Sequence, residues 1–143
     1  MNVSKWDRRG LELAGLVATW SKDPGHKVGC AIIRPDKTVA GVGYNGFPRG
    51  IADREDRLAD RELKRIITRH AEENAIANSY NIHNATLYVQ PLHPCTRCAG
   101  AIIQAGIGRV VAQLSADQED WLVGLPLDLL EEAGVEVIHV QSS

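Results

Sequence analysis

The spacing of apolar residues changes several times along the chain, and each change marks an element. Trp6, Leu13, Leu16, Val17 and Trp20 recur at the 3.6-residue period of a single helix face. Ser4, with Asp7 three residues on, forms a capping box in front of them, and Asp23-Pro24-Gly25 ends the helix. Both tryptophans read as core. Lys27 to Arg34 (KVGCAIIR) then runs apolar and β-branched, and Thr38 to Gly43 follows directly after Pro35-Asp36-Lys37, which predicts an antiparallel hairpin. Cys30, inside the first of these strands, reads as a small buried hydrophobe. Tyr44-Asn45-Gly46-Phe47-Pro48-Arg49-Gly50 breaks the strand pattern. So glycine-rich a loop lets backbone N–H groups come close to a ligand.

Ile51 to Arg69 carries six basic and five acidic residues, with Asp53/Arg57 and Asp60/Lys64 four apart. This predicts a solvated helix whose charges nearly cancel, with Leu58, Leu63, Ile66 and Ile67 as a narrow apolar stripe. A helix opens at His70 and ends near Ser79, and Ala85 to Gln90 is a strand. Pro94 precedes a helix over Cys95 to Ala105 that Gly106 stops. Ile107 to Gln113 is a strand, Leu127 to Ala133 a helix stopped by Gly134, and Val135 to Val140 a last strand. The order α-β-β-α-β-α-β-α-β predicts a three-layer α/β/α fold with a mixed five-stranded sheet, hairpin first and helical crossovers after.

Composition narrows the function without naming it. At 143 residues, 44% apolar and 24% charged, the chain is expected to form a single domain over 1–143 with an ordinary core. A net charge of −2 gives no basic excess for nucleic-acid binding. No run of about 18 apolar residues exists to span a membrane. Met1 to Lys5 lacks the apolar stretch of a signal peptide. Three cysteines, Cys30, Cys95 and Cys98, without such a signal predict reduced thiols and a cytoplasmic protein.

The chemistry gathers in two short stretches, His70-Ala71-Glu72 and Pro94-Cys95-Thr96-Arg97-Cys98. One histidine and two cysteines three apart make a tripodal cage for Zn²⁺ with a fourth position open, the arrangement of a catalytic zinc. Both cysteines fall in the first turn of their helix, on one side, where the helix N-terminus favours thiolates. A structural zinc would want a fourth ligand, for which His83 and His93 are within range of the motif. His26 and His139 read as ordinary polar residues. Glu72 is not needed as a ligand. On an ideal helix it would point away from His70, so the two converge only if His70 sits at the helix entrance, outside regular helical geometry. The set then fits hydrolytic deamination. Zinc lowers the pKa of its water and presents hydroxide, and Glu72 carries the proton to the ring nitrogen and on to the leaving amine.

His-x-Glu with Pro-Cys-x-x-Cys marks the zinc-dependent nucleobase deaminases. The match extends further. Ser21-Lys22-Asp23-Pro24, Lys27-Val28-Gly29-Cys30, Gly43 to Gly50, His70 to Ile76 and Pro94 to Cys98 together resemble the deoxycytidylate (dCMP) deaminases, in order, over about residues 5 to 112. The resemblance implies a cytidine-deaminase-like fold and conversion of dCMP to dUMP and ammonia. It implies His70, Cys95 and Cys98 on one Zn²⁺ and Glu72 as proton shuttle. Asn45 would hold the sugar, with Gly46 and Ala71 also against the substrate, and Lys22, Lys27 and Arg49 are the basic residues offered to the 5′-phosphate. It further implies a homo-oligomer, hexameric in many relatives, with dCTP and dTTP as effectors and Mg²⁺ accompanying a bound nucleotide effector.

Two departures stand out. Relatives commonly carry a tyrosine after the strand Val110-Val111, where this chain has Ala112. That predicts a wider base pocket, or one walled by Trp121, open to cytosines with a small 5-substituent. Ser115 to Leu125 matches poorly. Three other readings use the same cage: a deaminase of free nucleosides, a tRNA adenosine deaminase, which Cys98-Ala99-Gly100-Ala101 resembles, and a non-catalytic zinc-stabilised nucleotide sensor. The slightly acidic chain weighs against tRNA. Glu72, useless to a structural cage, weighs against the sensor.

Overall fold

Five strands form one mixed sheet in the order β2-β1-β3-β4-β5, namely β1 (Gly29–Ile33), β2 (Val39–Tyr44), β3 (Thr86–Gln90), β4 (Arg109–Leu114) and β5 (Glu136–Gln141). This computed structural model describes residues 3–116, 118 and 121–142, with only the backbone of 121 and 122. The hairpin β1/β2 and the pair β1/β3 are antiparallel, while β3/β4 and β4/β5 are parallel. Helices α5 (Thr96–Gln104) and α6 (Trp121–Glu132) make the crossovers that the parallel pairs require. The result is the expected α/β/α sandwich. Helix α1 (Lys5–Ala18) covers one face, while α4 (Ala71–Ala77), α5 and α6 cover the other. Alternation along the strands sorts the core accordingly. Cys30, Ile32, Leu87, Val89, Val110 and Ala112 face α4 and α5, and Ala31, Ile33, Tyr88 and Val111 face α1. Cys30 is fully buried, as its setting in the strand predicted.

Helix α1 is rotated from the face its large apolar residues suggest: Val17 is buried and Trp6 and Leu13 pack against the core, but the rest of the buried face is made by other residues. Asp7, Gly10, Leu11, Ala14, Val17 and Ala18 are buried, whereas Leu16 and Trp20 are 56% and 50% exposed. Small residues set this rotation. A Cβ on Gly29 would lie 1.9 Å from the Ala14 carbonyl oxygen, so only glycine lets strand and helix approach so closely. Trp20 instead meets Tyr44 edge-on at the surface, with ring centroids 6.2 Å apart. Asp7 is the polar anchor of this face. Its carboxylate takes two hydrogen bonds from Arg109 of β4, at 2.6 and 2.8 Å, and one from the Tyr88 hydroxyl of β3 at 2.9 Å. It also completes the capping box with Ser4.

The charged stretch forms two short helices, α2 (Glu55–Ala59) and α3 (Arg61–Ile67), instead of one. Asp60 breaks them with φ −84° and ψ 98°, and its carboxylate accepts the Leu63 N–H at 3.1 Å. An aspartate that can cap a new helix competes with continuing the old one. Helix α6 begins at Trp121, six residues ahead of the expected Leu127, and runs through Pro126. Its side chains at Trp121 and Leu122 lie outside the described residues.

Candidate metal centre and its cavity

His70 is the N-cap of α4, with φ −78° and ψ 157°. That extended geometry is what allows it to converge with Glu72 on the first turn. The Glu73 carboxylate accepts the His70 backbone N–H at 3.1 Å and pairs with Arg69 through its other oxygen. Cys95 is likewise the N-cap of α5, with φ −74° and ψ 176°, so it sits just outside the first turn in which it was expected, and Pro94 precedes the helix as expected. Both helix N-termini therefore point at the same spot. Gly43 seats α4 there, since a Cβ on it would lie 2.3 Å from the Ala75 nitrogen and 2.5 Å from the Ala71 oxygen.

The donors meet as the motif requires. His70 Nδ1 lies 3.3 Å from Cys98 Sγ and 3.4 Å from Cys95 Sγ, and all three donor atoms fall within 4.8 Å of one another. Tetrahedral zinc with ordinary bond lengths separates sulfur and nitrogen by roughly 3.6 Å, so little movement is needed to seat it. The donor set is borderline-soft, suited to Zn²⁺ and unsuited to Mg²⁺. Among the described residues it is the one group of three or more His, Cys, Asp and Glu close enough to hold a metal, and nothing supports Mg²⁺. Among the described residues neither His83 nor His93 belongs to it, so the three donors would hold the metal without either of them. His93 is buried and turns Nδ1 to the Pro94 carbonyl at 2.9 Å.

The cage is electrostatically prepared. Hydrogen bonding from Cys98, then from His70, pulls the Cys95 thiol down to about 3, so it is a thiolate at neutral pH. The same hydrogen bond and burial push Cys98 well up, so one proton stays with the sulfur pair until a cation displaces it. Hydrogen bonding to Cys95 raises His70. Glu72 is 4% exposed, and burial pushes its carboxyl up to about 7. A carboxyl poised there can both accept and return a proton near neutral pH.

These groups open into a cavity of about 650 Å³ lined by His70, Ala71, Glu72 and Cys95 together with Asp23, Asn45 and residues of helix α3. Backbone bonds between Gly46 and Arg69, at 3.1 and 2.8 Å, tie the glycine loop to the residue before His70. Asn45 is buried and holds the 23–28 segment. Its Oδ1 accepts the Val28 N–H at 2.8 Å, while Nδ2 donates to the His26 carbonyl at 2.8 Å and to Asp23 at 3.4 Å.

Of the residues expected at the substrate, Asn45 and Ala71 line the cavity, and Lys22, Lys27, Gly46 and Arg49 do not. Lys22 sits 3.4 Å from Asp53, Lys27 donates to the Ser21 carbonyl at 2.7 Å, and Arg49 reaches Asn78 at 3.2 Å. Each cation follows its nearest acceptor, and sequence proximity to the loop does not decide that. Arg61, Lys64 and Arg65 line the cavity instead. Their one signal in the sequence was i, i+3, i+4 spacing, which places all three on one face of a helix. Ala112 is fully buried in β4 and does not line the cavity, so the geometry gives no support to a base pocket widened by it. The alternative wall, the Trp121 side chain, lies outside the described residues.

A mixed sheet that brings two helix N-termini, three metal donors and one buried carboxyl together beside a single cavity has the make-up of a catalytic type of metal site in an α/β protein. Residues 4–114 match the cytidine and deoxycytidylate deaminase zinc-binding region. An uncharacterized deaminase of the luxG 3′ region of Aliivibrio fischeri is 39% identical over 142 residues, covering 94% of this chain and 93% of that one. Human deoxycytidylate deaminase is 40% identical over 114 residues, and this chain spans 64% of its length. The crystal structure of the dCMP deaminase from cyanophage S-TIM5, in complex with dCMP and dUMP, superposes with a TM-score of 0.76 and 25% identity over 98% of this chain and 99% of that one. The chain belongs to the cytidine and deoxycytidylate deaminase family, with a zinc-binding deaminase domain. No described helix is long and apolar enough to cross a membrane.

Proposed function

We propose that the protein hydrolyses the 4-amino group of dCMP, giving dUMP and ammonia. The observation that carries this is a buried Glu72 beside a three-donor cage, in a chain 40% identical to human deoxycytidylate deaminase and similar to a structure holding dCMP and dUMP. We assign the ligand role to His70, Cys95 and Cys98, which fit zinc in donor type and spacing. When bound, Zn²⁺ supplies the activation of water. Glu72 would take one proton from the attacking water and pass it to N3 of cytosine, then take the remaining proton of the new C4 hydroxyl and deliver it to the departing amine as the C4–N bond breaks. Ala71 and Asn45 line the cavity. With both amide protons engaged, Asn45 offers the sugar only the remaining lone pair of Oδ1.

The chain is read as one deaminase domain of a cytoplasmic protein, in keeping with its free thiols. Assembly into a homo-oligomer fits the exposed Leu63 and Ile66 of α3, 37% and 74% accessible. Control by dCTP and dTTP rests on the resemblance alone.

The test is dCMP turnover before and after metal removal. A chelator strong enough to strip zinc is expected to abolish ammonia release, and one equivalent of Zn²⁺ per chain to restore it. Metal loss should also lower the melting temperature, because the cage that would hold zinc exists only in the folded chain, so binding stabilises that state. Full activity in a metal-free protein would exclude this reading.

A further inference from the structure

The geometry points to Arg61 and Arg65 of α3 as the residues that grip the 5′-phosphate of the substrate and set the preference for a nucleotide over a nucleoside. This rests on the deaminase reading above and deepens it.

Three cations of α3 line the cavity, and their partners differ. Lys64 is held by Asp23 at 2.7 Å, with both side chains largely buried. That pair is electrically closed, and it fixes which face of the helix looks into the cavity. Arg61 and Arg65 flank Lys64 on the same face, three residues before it and one after. Neither guanidinium has a hydrogen-bond or ion-pair partner among the described residues. Like charges four apart disfavour a helix, and among the described residues neither arginine forms an ion pair with a carboxylate that would offset this. Glu72 is the remaining acid that lines the cavity. The same cavity therefore joins the proton-transfer group and metal donors with two arginines that have no partner among the described residues.

A nucleoside monophosphate has the complementary arrangement, with a base at one end and a dianion at the other. Guanidinium groups bind phosphate oxygens in pairs and are lightly hydrated, so they lose little on entering such a site. The motif residues Lys22, Lys27 and Arg49 are all engaged outside the cavity. The phosphate grip has therefore moved from the hairpin and its loop to a stretch whose near-neutral charge hid it.

The test uses the zinc-loaded full chain with R61A, R65A, R61A/R65A and R65K, assayed on dCMP and on deoxycytidine, with calorimetric binding of dUMP as a readout independent of turnover. Each charge-assisted contact is expected to be worth about 10- to 100-fold. The double variant should lose about 100-fold or more in kcat/KM on dCMP, chiefly through KM, with deoxycytidine changed by less than about twofold. Binding of dUMP should weaken in parallel, and R65K should recover only part of it. An equal fall on both substrates would show a structural role for α3 and overturn the assignment, as would unweakened dUMP binding in the double variant. A wild-type chain that prefers dCMP, with variants that keep the preference, overturns the arginines alone. A wild-type chain that neither deaminates dCMP nor binds dUMP overturns the functional reading with them.

Discussion

Glu72→Gln is expected to lower dCMP turnover by about 10²- to 10⁴-fold or more while leaving zinc stoichiometry at one per chain. The carboxyl is 4% exposed on the first turn of α4, and burial pushes it up to about 7. Glutamine keeps the shape and can still hydrogen-bond, but it cannot take a proton from water and hand it to N3 and the amine. The variant separates proton transfer from metal binding, since Glu72 lies outside the donor set of His70, Cys95 and Cys98. Removing a buried acid also removes its desolvation cost, so the melting temperature should hold or rise. Rate assays with metal analysis on one preparation decide it. Loss of zinc on this change would make Glu72 a ligand, and near-normal turnover would take it out of the chemistry.

The second large effect concerns stability. Asp7→Ala is expected to destabilise the fold by about 3–5 kcal/mol, the range for breaking one side of a buried pair. Asp7 is 1% exposed and receives Arg109 twice and the Tyr88 hydroxyl once. Arg109 keeps Glu136 at 2.8 Å in the variant, which favours the lower end of the range. The sign of the pH dependence follows from the direction of the shift. Hydrogen bonding from Arg109 holds the folded carboxyl well below its ordinary 3.8. The stabilisation is therefore complete above about pH 4 and is lost as pH falls toward the folded value. Urea unfolding of both proteins between pH 7 and pH 3 should show curves that converge on acidification. Asp7 sits on the α1 side of the sheet, opposite the cage, so the folded variant should retain its turnover.

What the sequence made legible was whatever depends on neighbours in the chain. The hairpin and the crossover helices follow from period and turn residues, and the cage follows from His70, Cys95 and Cys98 at two helix entrances. The rest depended on distant partners. Helix α1 turned its Gly10-Ala14 stripe inward because Gly29 offers no side chain to hold it off, a contact no helical period contains. That left Trp20 on the surface. Asp60 could continue a helix or cap one, and only the docking of Lys64 on Asp23, 41 residues away, makes the cap visible in retrospect. The same docking turned a stretch of almost cancelling charge into a cationic cavity wall. Ala112 drew attention as a departure, yet it is buried within the sheet, away from the cavity.

The central claim is that this cavity takes a deoxycytidine monophosphate and removes its amine. The most direct measurement is ammonia release by the zinc-loaded protein from dCMP, CMP, deoxycytidine and AMP at equal concentration, with the pyrimidine product identified. dCMP is expected to be the preferred substrate, with dUMP and ammonia appearing one for one. Deoxycytidine turned over as efficiently as dCMP, or AMP in preference to both, would contradict it.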